Sequence, residues 1–119
     1  MKRFNKEIKT IIEAIQDKKG KQIRVLDLKK IDDTICQYIV ICEGNTPTQV
    51  SAITDSIENK LRDELGERPL VVDGTKNNLW VVMDYANIII HIFVPESRAF
   101  YDIDHLWEDA NSTDIPDLE

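Results

Sequence analysis

The chain has 119 residues, of which 42% are hydrophobic and 31% are charged, and its formal net charge is −7. These values are typical of one soluble globular domain, and the negative charge disfavours general binding to nucleic acid. The N-terminal segment lacks the apolar run of an export signal, and no apolar run is long enough to span a membrane. We therefore expect a cytoplasmic domain that does not bind a membrane.

The charges are unevenly distributed along the chain. Residues 1–30 carry ten Lys or Arg and four Asp or Glu, whereas residues 102–119 carry seven acidic residues and no Lys or Arg. Nucleic acid is therefore expected to make contact only near the N-terminal end, and no specific nucleic-acid partner is predicted. The remaining surface is expected to repel phosphate and to attract basic protein surfaces.

The first part of the chain alternates between helical and strand patterns. Apolar residues at helical spacing predict an amphipathic helix over residues 3–18, which Gly20 ends. Ile23–Leu28 is a predicted strand. Cys36–Cys42 is apolar nearly throughout, which predicts a second strand at the centre of the sheet.

The two cysteines belong to that second predicted strand. Cys36 and Cys42 would lie roughly 20 Å apart at about 3.3 Å per residue, with their side chains on the same face. They therefore cannot form a disulfide with each other. Two Cys and two His are also too few for a convincing metal site, so both cysteines are interpreted as small buried hydrophobes, and no cofactor is predicted.

The segment after the second strand has the residues of a helix start. Thr46 is the expected N-cap, Pro47 takes the first helical position, and Gln49 completes a capping box. The helix is predicted to run to about Leu65 and to stop at Gly66. A turn before a helix can also hold phosphate, but capping already explains these residues, and the segment has no glycine-rich phosphate motif.

The second part of the chain is rich in strands. Leu70–Asp73 is a short predicted strand, Trp80–Val94 is a predicted hairpin, and residues 96–107 form a predicted helical return. The fold class is therefore mixed α/β, with a single five-stranded mixed sheet on which helices pack. Residues 1–109 are expected to form the domain, and residues 110–119 an acidic, disordered tail.

The hairpin has two chemically different faces. Its two runs flank Ala86-Asn87, and a two-residue loop pairs Trp80 with Phe93 and Asp84 with Ile89. One face is apolar and predicts core, with Val81, Met83, Tyr85, Ile88, Ile90, Ile92 and Val94. The other, here called the mixed face, carries Trp80, Val82, Asp84, Ile89, His91 and Phe93. A register slip of one residue would exchange the two faces.

The mixed face suits a surface that is half covered and half available for a partner. A core face needs no Asp, and an ordinary solvent face needs no Trp beside Phe. Trp80 fits a core or an interface equally well when it is considered alone. Asp84 and His91 on the same face favour the interface, with His91 as a hydrogen-bonded or interface residue rather than a metal ligand.

Several enzymatic classes have little support in the residues. The only two histidines, His91 and His105, and the two cysteines do not suggest a nucleophilic triad. A metal-dependent nucleotidyl or phosphoryl transferase needs paired carboxylates, but Asp32-Asp33 point in different directions, and Asp73 and Asp84 are isolated. That enzyme class and a homo-oligomeric interaction module built on the hairpin remain the alternatives.

Three ordered motifs resemble one protein family. They read D-x₄-Q-Y-I-V-I-C-E-G-N-T-x₂-Q from Asp32, W-V-V-M-D-Y from Trp80, and I-H-I-F-V-P-E-x-R-x-F-Y-D-x₃-L-W from Ile90. Together they resemble the ribosomal silencing factor family RsfS, also called Iojap or YbeB. The resemblance extends from Phe4 to Trp107 and rests on the combination of motifs rather than on any one of them.

The resemblance implies a fold related to nucleotidyltransferases but without their catalytic site, in a protein that is not an enzyme. Members of this family repress translation in stationary phase or starvation. They bind the large ribosomal subunit through the ribosomal protein uL-fourteen and sterically block joining of the small subunit. The exposed hairpin also suggests a possible homodimer of the free protein.

The motifs also transfer partner-binding residues onto this chain. The resemblance implies that Trp80, Asp84 and Tyr85 lie at or near the contact, and the adjoining motifs add Asp73, Gly74, His91, Arg98 and Tyr101. The chain departs from the family at two places, because Ala86-Asn87 stands where a Gly is usual and Glu43 where a small residue is usual.

Overall fold

The computed structural model describes residues 4–31, 34 and 36–118. It has a mixed α/β fold whose elements are α1 (Lys6–Asp17), β1 (Lys21–Asp27), β2 (Tyr38–Glu43), α2 (Pro47–Leu65), β3 (Val71–Asp73), β4 (Trp80–Asp84), β5 (Ile88–Phe93), α3 (Pro95–Tyr101), a 3₁₀ turn (Ile103–Trp107) and β6 (Asn111–Ile115). None of the helices among the described residues is long and apolar enough to cross a membrane.

All six strands belong to one mixed sheet with the order β3-β4-β5-β2-β1-β6. β2 and β5 run parallel in its centre, and the other neighbouring strands are antiparallel. The predicted mixed sheet and the central position of the second strand are therefore confirmed. Every residue from Tyr38 to Cys42 is buried, as expected for a strand that is covered on both faces.

The prediction of five strands is wrong by one. Asn111–Ile115, within the predicted tail 110–119, pairs antiparallel with β1 as an edge strand. None of its residues is buried, and four of the five in the sequence NSTDI are polar. The strand therefore lacks the apolar alternation by which strands are recognised. Backbone pairing and an ion pair of 2.7 Å between Arg24 and Asp114 hold it to β1.

The main core lies between the two long helices and one face of the sheet. The predicted stripe of α2 is buried, with Val50, Ile53, Ile57 and Leu61 in this cluster. α1 contributes Ile8, Ile11, Ile12, Ala14 and Ile15, and it ends at Asp17. Gly20 follows the end of α1 and is buried. A Cβ there would lie 2.3 Å from the Ile15 Cγ2, so the position has no room for a side chain.

The start of α2 follows the predicted cap with one difference. The Thr46 hydroxyl accepts a hydrogen bond from the Gln49 backbone N–H at 3.1 Å. The Gln49 side-chain oxygen accepts from the Asn45 N–H at 2.7 Å, one residue earlier than in a standard capping box. Gly66 ends the helix with a left-handed φ of 67°, as predicted.

Both cysteines are buried and free, which agrees with their interpretation as small hydrophobes. They lie on different sides of the sheet, because Cys42 belongs to the main core and Cys36 to a second cluster on the opposite face. The prediction that they share one face is wrong, since Cys36 precedes β2 rather than continuing its alternation. Burial raises the pKa of Cys42 to about 12, so this thiol stays protonated at neutral pH.

The hairpin has the predicted register and faces. Trp80 lies opposite Phe93 and Asp84 opposite Ile89, and every residue of the predicted core face is buried. Ala86 opens the two-residue loop with a φ of 71°, a conformation that favours glycine. The positive φ of Ala86 explains why a Gly is usual at this place in the motif that the sequence resembles.

Candidate protein-binding site

Trp80 is the centre of the mixed face. Its half-buried indole stacks on Phe93 of the neighbouring strand, with ring centroids 5.0 Å apart. It also contacts Tyr101 of α3 at a centroid distance of 4.7 Å. Phe93 itself is fully buried in the second core cluster. Trp80 therefore agrees with both interpretations from the sequence, core and interface, because part of the ring packs into the protein and part remains accessible.

His91 fixes the orientation of Trp80. The indole N–H donates a hydrogen bond to the His91 Nδ1 at 3.0 Å. Burial lowers the pKa of His91 to about 4, and the charge of Asp104 opposes that shift. His91 is therefore neutral at physiological pH, which leaves Nδ1 available as the acceptor. This agrees with its interpretation as a hydrogen-bonded residue.

Lowering the pH from 7.5 to 5 is expected to cost about 2 kcal/mol of folding stability through His91. Its pKa of about 4 in the folded protein lies below the ordinary value of 6.5 that applies to the unfolded chain. The stabilisation is therefore complete above the unfolded-state value and is lost as the pH falls toward the folded-state value. Urea unfolding at the two pH values measures the change.

His91→Gln is the matched control for this pH dependence. A Gln oxygen can accept the bond from Trp80, but the side chain does not titrate. Burial and the neighbouring Glu7 raise the pKa of Glu67 to about 7, which changes stability in the opposite direction in both proteins. The difference between the variant and the wild type therefore isolates His91. An identical pH dependence in both proteins would contradict this role.

Asp73 and Gly74 line a shallow groove beside Trp80, together with Val82. Asp73 is exposed at the end of β3, and its carboxylate accepts a hydrogen bond from the Gly74 N–H at 3.0 Å. Gly74 has a φ of 91°, and a Cβ there would lie 2.0 Å from the Trp80 carbonyl oxygen. The backbone at Gly74 therefore approaches the start of β4 as closely as only glycine allows.

Gly74→Ala is expected to lower the free energy of unfolding by about 2–3 kcal/mol, because it adds a backbone clash to an unfavourable φ. Gly66→Ala is the matched control, since Gly66 also has a positive φ but has no atom within 4 Å of the added Cβ. The control is expected to lose only about 1 kcal/mol. Urea unfolding of both variants compares the two, and equal losses would argue against the close approach.

Asp84 and Tyr85 lie on different faces of the hairpin. Asp84 is partly exposed on the mixed face, and its carboxylate accepts a hydrogen bond from the Ala86 N–H at 2.8 Å. Tyr85 is buried in the main core, and burial raises the pKa of its phenol. Among the described residues, no group forms a hydrogen bond with the Tyr85 hydroxyl. The structure therefore brings Asp84, but not Tyr85, to the same face as Trp80.

Arg98 points inward although it belongs to the exposed helix α3. Its Nη1 donates to the Gln22 carbonyl at 2.6 Å and to the Glu43 carboxylate at 3.1 Å. Its Nε and Nη2 donate to the two oxygens of Asp104 at 3.1 and 3.0 Å. Burial opposes ionisation of Asp104, but Arg98 and Arg24 hold its pKa below the usual range. Glu43, which stands where a small residue is usual in the family, thus forms an ion pair with Arg98.

Phe100 is a functional candidate that the sequence reading missed. Its side chain is 80% exposed, the largest value among the large hydrophobic residues that the structure describes. It contacts Tyr101 edge-on, with ring centroids 5.0 Å apart and planes at 88°. Two adjacent aromatic residues, Phe100 and Tyr101, are apparent in the sequence. The periodicity of a helix of seven residues is too short to predict which of the two rings faces solvent.

The carboxylates considered for a metal-dependent enzyme do not form a group. Asp73 lies opposite Val82 and Asp84 opposite Val71, so the two acids occupy opposite ends of the β3–β4 pair. Asp32 and Asp33 lie outside the described residues. Within the part of the chain that the structure describes, no three His, Cys, Asp or Glu side chains are grouped closely enough to hold a metal ion.

Comparison with known proteins identifies the family. A family model described as "Ribosomal silencing factor during starvation" matches residues 1–119. The ribosomal silencing factor RsfS of Halalkalibacterium halodurans is 32% identical over 104 residues, which are 87% of each chain. That of Bacillus subtilis is 32% identical over 108 residues, or 91% of this chain and 90% of the relative.

A solved structure agrees with these sequence matches. The crystal structure of a protein from Chromobacterium violaceum is similar to this fold with a TM-score of 0.81 at 32% sequence identity. The match covers 89% of this chain and 87% of that chain. The resemblance in the three motifs is thus confirmed, and the chain belongs to the RsfS family of ribosomal silencing factors.

Proposed function

We propose that this protein represses translation by binding the large ribosomal subunit through the ribosomal protein uL-fourteen. Bound there, it sterically blocks joining of the small subunit in stationary phase or starvation. Family membership supports a silencing role. The observation that carries the docking proposal is the half-buried indole of Trp80, fixed by a hydrogen bond to His91 and by stacking on Phe93. Such rigid aromatic anchors dominate the binding energy of many protein interfaces.

The charge around this indole supports a basic protein as the partner. Asp73 is exposed in the groove beside Trp80, Asp84 is partly exposed at the other end of β4, and Glu96 and Asp102 lie at the two ends of α3. An acidic rim attracts a basic protein surface and repels the phosphates of bare RNA. The partner-binding residues proposed here are therefore Trp80, Asp73, Gly74, Asp84 and Tyr101, with Tyr85, His91 and Arg98 acting from behind the surface.

The proposed mechanism is steric and needs no catalysis. The folded chain measures about 35 × 34 × 30 Å along its principal axes. A body of this size on the joining surface of the large subunit occupies volume that the small subunit would need. Silencing then depends on affinity and placement, so the protein acts in the cytoplasm as a binding factor and not as an enzyme.

The same surface provides a second proposed contact, with another copy of the free protein. Tyr101 is about half exposed beside Trp80, and a C2 dimer would cover both rings. Dimerisation through this face would compete with ribosome binding because one surface serves both. Sedimentation equilibrium of the free protein tests it, and a monomer at all concentrations would exclude this contact.

Co-sedimentation with separated ribosomal subunits tests the docking proposal. The protein is expected to migrate with the large subunit and not with the small one. Its affinity is expected to fall with added salt, since an acidic rim meets a basic partner. Competition by purified uL-fourteen identifies the partner on the subunit. Protein that remains at the top of the gradient with either subunit would exclude the proposed function.

A further inference from the structure

Two residues of helix α3, Arg98 and Phe100, have the opposite exposure from that expected for a surface helix. The Arg98 side chain is only 12% exposed, whereas Phe100, two residues later, is 80% exposed over the whole residue. None of the seven residues of this fully described helix is buried. An amphipathic helix normally turns its aromatic residues inward and its arginines outward.

Polar contacts of Arg98 attach this helix to the rest of the fold, together with the contact between Tyr101 and Trp80, although none of its residues is buried. Arg98 binds Glu43 at the end of β2 and Asp104 in the 3₁₀ turn, and it also donates to the Gln22 carbonyl. These partners belong to three separate segments of the chain. Arg98 therefore fixes the orientation of α3, so the exposure of Phe100 is built into the fold and is not the result of a loosely attached helix.

Phe100 continues the surface that contains Trp80. Its ring contacts Tyr101 at a centroid distance of 5.0 Å, and Tyr101 contacts Trp80 at 4.7 Å. The three rings, here called the aromatic ridge, connect the hairpin to the outer side of α3. The segment that carries two of these rings is acidic, since residues 95–109 contain Glu96, Asp102, Glu108 and Asp109 in addition to the internal pair of Arg98 and Asp104.

We propose that Phe100 is a second anchor of the docking surface, which inserts into an apolar pocket of a basic protein on the large subunit. This inference rests on the proposed function and extends its contact from the hairpin to α3. Continuity with Trp80 supports the same partner for both residues, and the acidic segment favours a basic protein over RNA. A ring that is 80% exposed before binding gains most of its burial from the partner.

Phe100→Ala tests the proposal by binding to purified large subunits. The variant is expected to bind at least about tenfold more weakly than the wild type, as expected for an interface anchor. Its Tm is expected to change by less than about 3 °C, because an exposed side chain contributes little to folding. Leu118→Ala is the matched control, since Leu118 is also exposed (55%) but follows the edge strand β6 and is not part of the aromatic ridge.

The other outcomes overturn the inference and separate it from the proposed function. Wild-type affinity of Phe100→Ala would exclude the second anchor while leaving the docking of Trp80 intact. A loss of affinity that accompanies a large fall in Tm would assign Phe100 a structural role. A dimer broken by Phe100→Ala, with subunit binding unchanged, would mean that a second copy covers the ring. If the wild type does not bind the large subunit, the proposed function itself fails.

Discussion

Trp80→Ala is expected to weaken binding to the large ribosomal subunit by about 30- to 1,000-fold, which corresponds to 2–4 kcal/mol. The indole contacts the rings of Phe93 and Tyr101, and its N–H is already bonded to His91. Its orientation is therefore set before binding, so little conformational entropy is lost when the partner covers it. Equilibrium binding of labelled protein to purified large subunits measures the change.

Trp107→Ala is the matched control for this experiment. Trp107 is the other tryptophan of the chain, and it is also half-buried against the second core cluster. Truncation of either indole removes apolar packing, so both variants are expected to lose folding stability. Only Trp80→Ala is expected to lose most of its affinity at a temperature where both are folded. Equal losses of affinity would attribute the effect to general destabilisation.

Arg98→Ala is expected to lower the free energy of unfolding by about 2–4 kcal/mol. The guanidinium is largely buried, and its removal leaves Glu43 without its counter-charge and Asp104 with Arg24 alone. An uncompensated carboxylate in a partly buried site costs more than the loss of an ordinary surface ion pair. Arg98→Lys is expected to recover only part of the loss, since one ammonium cannot reproduce the planar fork.

Arg62→Ala provides the comparison for Arg98. Arg62 is exposed on α2 and pairs with the neighbouring Asp63 at 3.0 Å. Its removal is expected to change the unfolding free energy by less than about 1 kcal/mol, as for most exposed ion pairs. Urea unfolding of all the arginine variants gives the comparison. An Arg98→Ala protein that is as stable as the wild type but no longer binds large subunits would make Arg98 a direct contact.

The hairpin could be predicted in detail because its information is local. Two apolar runs around Ala86-Asn87 define both the register and the faces, and the structure has the predicted pairs. The caps of α2 were equally local, with Thr46 and Gly66 in the expected roles. β6 could not be predicted in this way. Its polar residues pair with β1, which lies about ninety positions earlier in the chain, and no local pattern encodes such a pairing.

The sequence predicted which hairpin residues share the mixed face, but it did not predict how the side chains of α3 are oriented. Alternation placed Trp80, Asp84 and His91 together on one side of the hairpin, and the structure agrees. The inward turn of Arg98 depends on Glu43 and on the Gln22 carbonyl, which are 55 and 76 residues away in sequence and meet Arg98 only in the folded chain. Phe100 was missed for the same reason, because its exposure follows from the orientation that Arg98 imposes on α3.

A subunit-joining assay tests the central claim most directly. Purified small and large subunits are mixed with and without the protein, and joined ribosomes are measured by light scattering and by sucrose-gradient sedimentation. Steric silencing predicts that the wild type reduces joining in proportion to its occupancy of the large subunit, whereas Trp80→Ala at the same concentration has little effect. Normal joining on large subunits that are saturated with the protein would contradict the account.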